Sequence, residues 1–271
     1  EDLGVEVRTS APVRQVNIAS GKATGVTLES GEVCDAALVV SNADPKRTFL
    51  GLIDDAELDE EFKRDVRNIR MDGPAGKVNF VLSEEPQVNG MPADRSKSQR
   101  SLFTLIPTLD EAESNYNASR LGQLPERLWV DCVLASNADD TLTPDGRHVL
   151  TCFVQYLPYS PSDGTWDDHR ETLGDRVTSL IGQFAPNVPG SVVARRVYTP
   201  VDLEATFGIT EGNIFHGDIS LEQMFFMRPL PRWAHYRTPV ENLWLCGAGT
   251  HPGGGVTGAP GYNAAHAILR S

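Results

Sequence analysis

The C-terminal run NLWLCGAGTHPGGGVTGAPGYNAAHAIL, residues 242–269, constrains the fold of this chain more than any other stretch. Seven glycines fall within the fifteen positions from Gly247 to Gly261, between an apolar run and an alanine-rich one. Glycine costs backbone entropy on folding, so positions in this run must require a positive φ or an approach too close for a Cβ. The order of apolar strand, glycine loop and small-residue helix, with Pro260 tolerable in the first helical turn, presents unpaired backbone N–H groups to an anion or a polarised carbonyl. A long surface turn has the same composition, and spacing alone leaves both readings open. A P-loop is excluded, because no lysine follows the glycines.

The chain has 271 residues, 40% of them hydrophobic, enough for one large core or two smaller ones. A formal net charge of -13 argues against a nucleic-acid footprint and against polybasic docking on an anionic membrane. Cys34, Cys132, Cys152 and Cys246 are far apart and form no CxxC, which predicts thiols of a reducing compartment and neither a disulfide framework nor a zinc site. The expectation is therefore an intracellular, cytoplasmic protein, or a mitochondrial one in a eukaryote. No apolar run reaches the roughly 18 residues that span a bilayer.

Residues 5–42 alternate apolar and polar with period two and break at SGK and ESGE, which predicts a hairpin or meander followed by a fully buried strand, AALVV. Residues 54–70 switch to helical spacing, with Leu58, Phe62, Val66 and Ile69 on one face. GKVNFVLSE reads as a strand, 88–100 as an exposed loop, and RLWVDCVLAS and HVLTCFVQYLPYS as adjacent antiparallel strands. A second amphipathic helix starts at the N-cap Thr165, with Asp168 at N3, and puts Trp166, Leu173, Val177, Leu180, Ile181 and Phe184 on one face. A strand over 191–199 and a short helix in PVDLEATFG complete the middle. The fold class is α/β, with an α+β middle.

The glycine run resembles the C-terminal signature of the phytoene desaturase-like FAD-dependent oxidoreductases: an apolar strand, then G[AS]GTHPGGG, then a helix. EGNIFHGDISLEQMFFMRPLP (211–231) and YRTPVENLWLCG (236–247) resemble one subgroup of that family, and GVEVRTSAPVRQV with GVTLESGEVCDAALVVSNADP resembles its mid-chain part. The resemblance implies a partial FAD-binding Rossmann-like domain, residues 1–50 and 242–271, and an antiparallel-sheet substrate domain with covering helices, residues 51–241. It implies that Val13 lies beside the adenine, that Gly247, Ala248 and Gly249 run along the ribityl and pyrophosphate groups, and that Gly254, Gly255, Val256 and Thr257 lie under the flavin ring. The family's opening strand–GxGxxG–helix unit has no counterpart here. The chain is therefore expected to be a C-terminal portion that binds FAD weakly or not at all alone.

The family's chemistry is hydride removal from a C–H bond of a small molecule, a polyene, amine or lipid, with no nucleic-acid partner. His216 and His251 are the candidates for proton transfer, each against the plainer reading of a histidine that shapes its loop. His266 reads as packing or surface. The segment QMFFMRPLPRWAHY fits a substrate tunnel, a core or a partner contact. Two other classes stay open: a non-enzymatic interaction module using that segment, and an enzyme docking on a membrane surface through it. No HExxH, nucleophile elbow or paired-carboxylate site occurs.

Overall fold

The computed structural model describes residues 4–92, 94–143 and 145–271. In chain order the first elements are β1 (Val13–Ala19), β2 (Lys22–Leu28), β3 (Val33–Asp35), β4 (Val39–Ser41), α1 (Glu60–Arg67), β5 (Gly76–Leu82), β6 (Leu102–Leu105) and α2 (Leu109–Arg120). They are followed by β7 (Trp129–Leu134), β8 (His148–Gln155), α3 (Trp166–Phe184), α4 (Val188–Ser191), β9 (Val192–Tyr198), α5 (Pro200–Phe207), β10 (Leu243–Leu245) and α6 (Ala259–Ile268). The chain divides into two compact units, one made of the terminal segments up to Met71 and from Ile214 to Ser271, the other running from Asp72 to Asn213.

In the terminal unit β1, β2 and β3 form an antiparallel meander, and β4 pairs with β10 in a short parallel ladder, Val39 opposite Leu243 and Ser41 opposite Leu245. The expected buried strand AALVV is thus shorter than its apolar run, and it is not fully buried: Val40 is 42% exposed. Two-sided burial requires layers on both faces and neighbours on both edges, whereas β4 has one strand neighbour among the described residues. Residues 54–70 do bury Leu58, Phe62, Val66 and Ile69 together, but as a short 3₁₀ turn and then α1. Asp59 makes the break, since its side chain accepts from Phe62 N at 2.8 Å and so caps a new helix.

Phe49, Ile53, Phe62, Val66 and Ile69 share one core with Leu230, Val240, Leu243 and Leu245. That packing places 51–71 and 214–241 with the chain's terminal segments. The compact units divide at 71/72 and 213/214, where the expected segments divided at 50/51 and 241/242.

The Asp72–Asn213 unit is a five-stranded antiparallel sheet in the order β6-β7-β8-β5-β9. Alternation sends Val78, Phe80 and Leu82 of β5, Val130 and Cys132 of β7 and Leu150, Cys152 and Val154 of β8 to one face, where Leu173, Val177 and Ile181 of α3 close the core. Asp168 fixes the start of α3 by accepting from Thr165 N at 2.9 Å and Thr165 Oγ1 at 2.8 Å. Phe184, expected on the buried face, is 38% exposed, because the helix ends there.

β6 and α2 are additions to the expected elements. α2 carries a visible start signal, Thr108 with Glu111 three residues on, whose carboxylate accepts from Thr108 N at 2.8 Å. All four thiols are free; Cys34 and Cys246 are half-buried, while Cys132 and Cys152 are buried opposite each other with Sγ atoms 3.8 Å apart. Their contact, together with burial, pushes the Cys152 thiol up.

The packing of α3 predicts a contrast between two of its apolar residues. Ile181→Ala should cost about 2–5 kcal/mol, as for a fully buried aliphatic, and Phe184→Ala well under half of that. Urea denaturation of the two variants checks it.

Candidate functional site

The glycine loop starts as an extension of the β4–β10 ladder, since Cys246 N donates to Ser41 O at 2.8 Å. Gly247 then turns with φ +99°, and a Cβ there would fall on Asn42 Oδ1. Thr250 is buried and donates to Gly247 O through both its N–H, at 3.1 Å, and its Oγ1, at 2.9 Å. Gly253 N donates back to Thr250 O at 2.7 Å, and Tyr236 Oη donates to His251 O at 2.8 Å. These bonds give the loop a defined path through Gly253.

Close packing explains three of the glycines. A Cβ on Gly249 would stand 2.6 Å from Pro45 Cδ, and one on Gly254 3.0 Å from Phe215 Cδ1, in addition to the Gly247 collision with Asn42. At these positions the side chain is excluded by the protein itself. Gly255 and Gly258 differ: both have positive φ, yet a Cβ on Gly255 meets only Thr257 Cγ2 at 3.9 Å, and one on Gly258 meets nothing. Between them Val256 is fully exposed with φ +57°, a conformation that a β-branched residue rarely adopts. α6 follows with Gly258 as its N-cap, and Pro260 stands in its first turn as the sequence predicts.

Arg228 holds the loop against the 215–223 turn. It is 2% exposed, with Nε donating to Ala248 O at 3.0 Å and Nη1 to Asp218 O at 3.3 Å and Gln223 O at 3.2 Å. Its Nη2 donates to Ala248 O at 2.8 Å, to Gly217 O at 3.4 Å and to Phe215 O. Burial pushes the guanidinium down to about 10, against the pull of Asp218. Six carbonyl bonds also favour the charged form, so it is a cation at neutral pH. Beside it, Asp218 pairs with Arg70 Nη2 at 3.2 Å, and the Gln223 amide accepts from Arg70 N at 2.6 Å and donates to Arg70 O at 3.0 Å.

The expected site residues are placed unequally. Ala248 is tied to the 215–223 turn through Arg228, and Gly249 packs beside it, with His216 Cβ 3.4 Å from a Cβ position. His216 is half-buried with φ +58°, and burial pushes its imidazole below 6.5, partly offset by Asp44. Its Nδ1 and that of His251 are buried without a partner among the described residues. Val13 stands in the meander opposite Leu28, on an element separate from the loop. His266 stacks near Tyr262 on α6, with ring centroids 4.4 Å apart.

In the 219–228 segment the apolar side chains Leu221, Phe225 and Phe226 are exposed, Phe226 at 75%, so they are not core. Sequence reasoning missed Arg228, Asn42 and Tyr236. The available signal was a lone arginine inside an apolar, proline-flanked run, a type seldom buried without partners.

Among the described residues no cluster of His, Cys, Asp and Glu could hold a metal ion, and no helix is long and apolar enough to cross a membrane.

A parallel ladder that feeds a close-packed glycine loop and a helix, in a chain that also carries a five-stranded antiparallel unit, defines the fold class of the FAD-dependent amine oxidases. The chain belongs to the flavin containing amine oxidoreductase family, whose model matches residues 1–269. It is 36% identical to pyridine nucleotide-disulfide oxidoreductase domain-containing protein 2 of Rattus norvegicus, over 98% of this chain and 47% of that one. It is 26% identical to a lycopene-forming phytoene desaturase of Pseudescherichia vulneris, over 95% of this chain and 49% of that protein. The fold matches an oxidoreductase from Methanosarcina mazei with a TM-score of 0.54 at 17% identity, covering 96% of this chain and 48% of the other. The resemblance in the glycine run is thus borne out at the level of family. The chain spans about half the length of the curated relatives it matches.

Two outcomes follow from this geometry. Arg228→Met removes this donor from the carbonyls of Phe215, Gly217, Gln223 and Ala248, and from Asp218 O, which keeps Gln223 Nε2; it should destabilise the terminal unit by about 3 kcal/mol or more, at about 1.5–3 kcal/mol per lost bond to a charged group. Chemical denaturation followed by tryptophan fluorescence reads this, since Trp233 and Trp244 lie in that unit. For His216, a folded-state value below 6.5 means that the unfolded chain binds the extra proton first, so stability present above that pH declines as pH falls below it. His216→Asn, which tolerates the left-handed backbone, should flatten that decline in denaturation midpoints measured from neutral to mildly acidic pH.

Proposed function

We propose that this protein is an FAD-dependent oxidoreductase that removes hydride from an apolar or amine-like small molecule, the terminal unit holding FAD and the Asp72–Asn213 unit the substrate. The observation that carries the reading is the split among the loop glycines. Gly247, Gly249 and Gly254 are consumed by internal packing and set the path of the loop, while the backbone from Gly255 to Gly258 stays uncovered at the N-terminus of α6. Uncovered backbone at Gly255 and Gly258 fits a flat cofactor.

Gly247, Ala248, Gly249, Gly254, Gly255, Val256 and Thr257 would hold the cofactor, with Val13 at its adenine end. When bound, FAD supplies the two-electron acceptor for the substrate's hydride. The positive end of α6 favours negative charge on a group lying against it. Arg228 contributes indirectly: by fixing Ala248 it keeps the loop in one conformation. His216 and His251 each have an Nδ1 without a partner among the described residues, and burial lowers the affinity of the His216 ring for a proton, which favours its neutral form.

A second reading, a flavoprotein-like interaction module without catalysis, is favoured by the exposed Leu221, Phe225 and Phe226. The two separate on one measurement, the flavin content of the complete gene product, purified and then reconstituted with FAD. A protein that stays colourless sinks the oxidoreductase reading. If the loop is the site, Gly255→Val should lose most of its flavin. Gly90→Val, another positive-φ glycine with open space around it, controls for backbone strain and should retain flavin. Full flavin content in Gly255→Val would refute the assignment of the loop.

A further inference from the structure

The five-stranded sheet has a second face, opposite α3. Alternation and register put two rows of side chains there: Thr104, Asp131, Phe153, Lys77 and Tyr198 across the five strands, and beside them Leu102, Val133, Thr151, Asn79 and Arg196. The charges on the two faces are managed differently. On the α3 side Arg195 is held by Glu171 at 2.6 Å and Asp175 at 2.7 Å. On the opposite face Lys77 and Arg196 have no ion pair among the described residues, although Lys77 is half-buried on a central strand between Phe153 and Tyr198. Arg196 lies over the Tyr198 ring, 4.8 Å from its centroid. The acid of these rows, Asp131, is two strands from Lys77 and accepts from Gln155 Nε2 at 3.4 Å.

Two polar atoms of the same face are also unsatisfied. Asn79 Oδ1 and Trp129 Nε1 are shielded from water and lack a partner among the described residues. Buried polar atoms are rarely left so, and the exceptions call for a ligand, water or functional reason. Around them Phe153, Val81, Val133 and Tyr198 supply an apolar floor. Two cations against one carboxylate leave this patch with one net positive charge on a protein whose formal net charge is -13.

We propose that this sheet face binds the substrate, and that the substrate is an apolar molecule bearing a carboxylate, which pairs with Lys77 and Arg196. The assignment rests on the reading of the Asp72–Asn213 unit as the substrate-binding unit, and it narrows the substrate class. An ammonium group on this floor would meet two unpaired cations and an acid already bonded to an amide. A carboxylate would neutralise Lys77 and accept from Arg196. The apolar body would cover Phe153 and the valines. Lys77 and Arg196 are then specificity-determining, with no part in electron transfer.

The test is calorimetric binding of dodecanoate, dodecanol and dodecylamine, each below its micellar concentration, to the complete protein. Dodecanoate should bind about tenfold or more tighter than dodecylamine, as one charge-assisted hydrogen bond implies, with dodecanol between them. Lys77→Met should lose about that factor for dodecanoate alone, and Lys77→Arg should keep it. Arg196→Met, at an exposed position, supplies a second variant should Lys77→Met fold poorly, and it should weaken dodecanoate in the same direction. Amine binding as tight as carboxylate binding, or unchanged dodecanoate affinity in folded Lys77→Met or Arg196→Met, overturns the proposal. Binding is read without flavin turnover, so a colourless protein that still prefers dodecanoate rejects the oxidoreductase reading and leaves the anion site standing.

Discussion

The guanidinium of Arg228 is the interaction on which the glycine loop depends. Its donors reach carbonyls of Phe215, Gly217, Asp218, Gln223 and Ala248, groups that point inward from two segments about as irregular as backbone can be. Irregular backbone leaves carbonyls without ladder partners, and a buried one must find a donor elsewhere. Lysine has three donors on a point charge; arginine has five in a planar fork, which allows one side chain to serve several carbonyls at different angles. Because Ala248 is bonded through both Nε and Nη2, the loop cannot move away from the 215–223 turn without exposing a bare cation to the interior.

That fixed contact is why the glycines are needed. Drawing Ala248 toward Arg228 brings Gly249 onto Pro45, and Gly254 onto Phe215, at distances too tight for a Cβ without a shift of the neighbour. The same approach buries the ring of His216 and lowers its affinity for a proton, so electrostatics and packing have one origin. The glycine-rich composition is therefore divided between two physical demands. Part of it lets protein meet protein, and the part from Gly255 to Gly258 leaves backbone open.

Local periodicity made much of the fold legible. Leu173, Val177 and Ile181 recur at helical spacing and do form the buried stripe of α3, and the strand pairs of β7 with β8 follow from alternation and a long turn. What stayed hidden depends on partners distant in sequence. The exposure of Val40 follows from β4 having a single ladder, with β10 some two hundred positions away, which an apolar run cannot announce. The split at Asp59 and the capping box at Thr108 and Glu111 were readable in principle, since both use short-range side-chain bonds. For the site, the glycine run and His216 were visible as types, but Asn42, Pro45 and Phe215, which explain the glycines, are recognisable only once the chain has folded.

A loop whose path is set by internal bonds has a consequence for binding. Ordering a flexible segment at the moment of association costs affinity, and a segment already held in place avoids that cost. From Cys246 to Gly253 the bonds to Ser41, Gly247, Thr250, Tyr236 and Arg228 hold the backbone without any ligand. The strained conformation of exposed Val256 sits just beyond that fixed stretch and just before α6. Strain in an exposed residue persists only where its neighbours impose it, and here the neighbours are the pinned loop on one side and a helix start on the other. The uncovered backbone is thus presented in a shape that the protein determines in advance, so side chains far from the open surface, Arg228 above all, govern what that surface can hold.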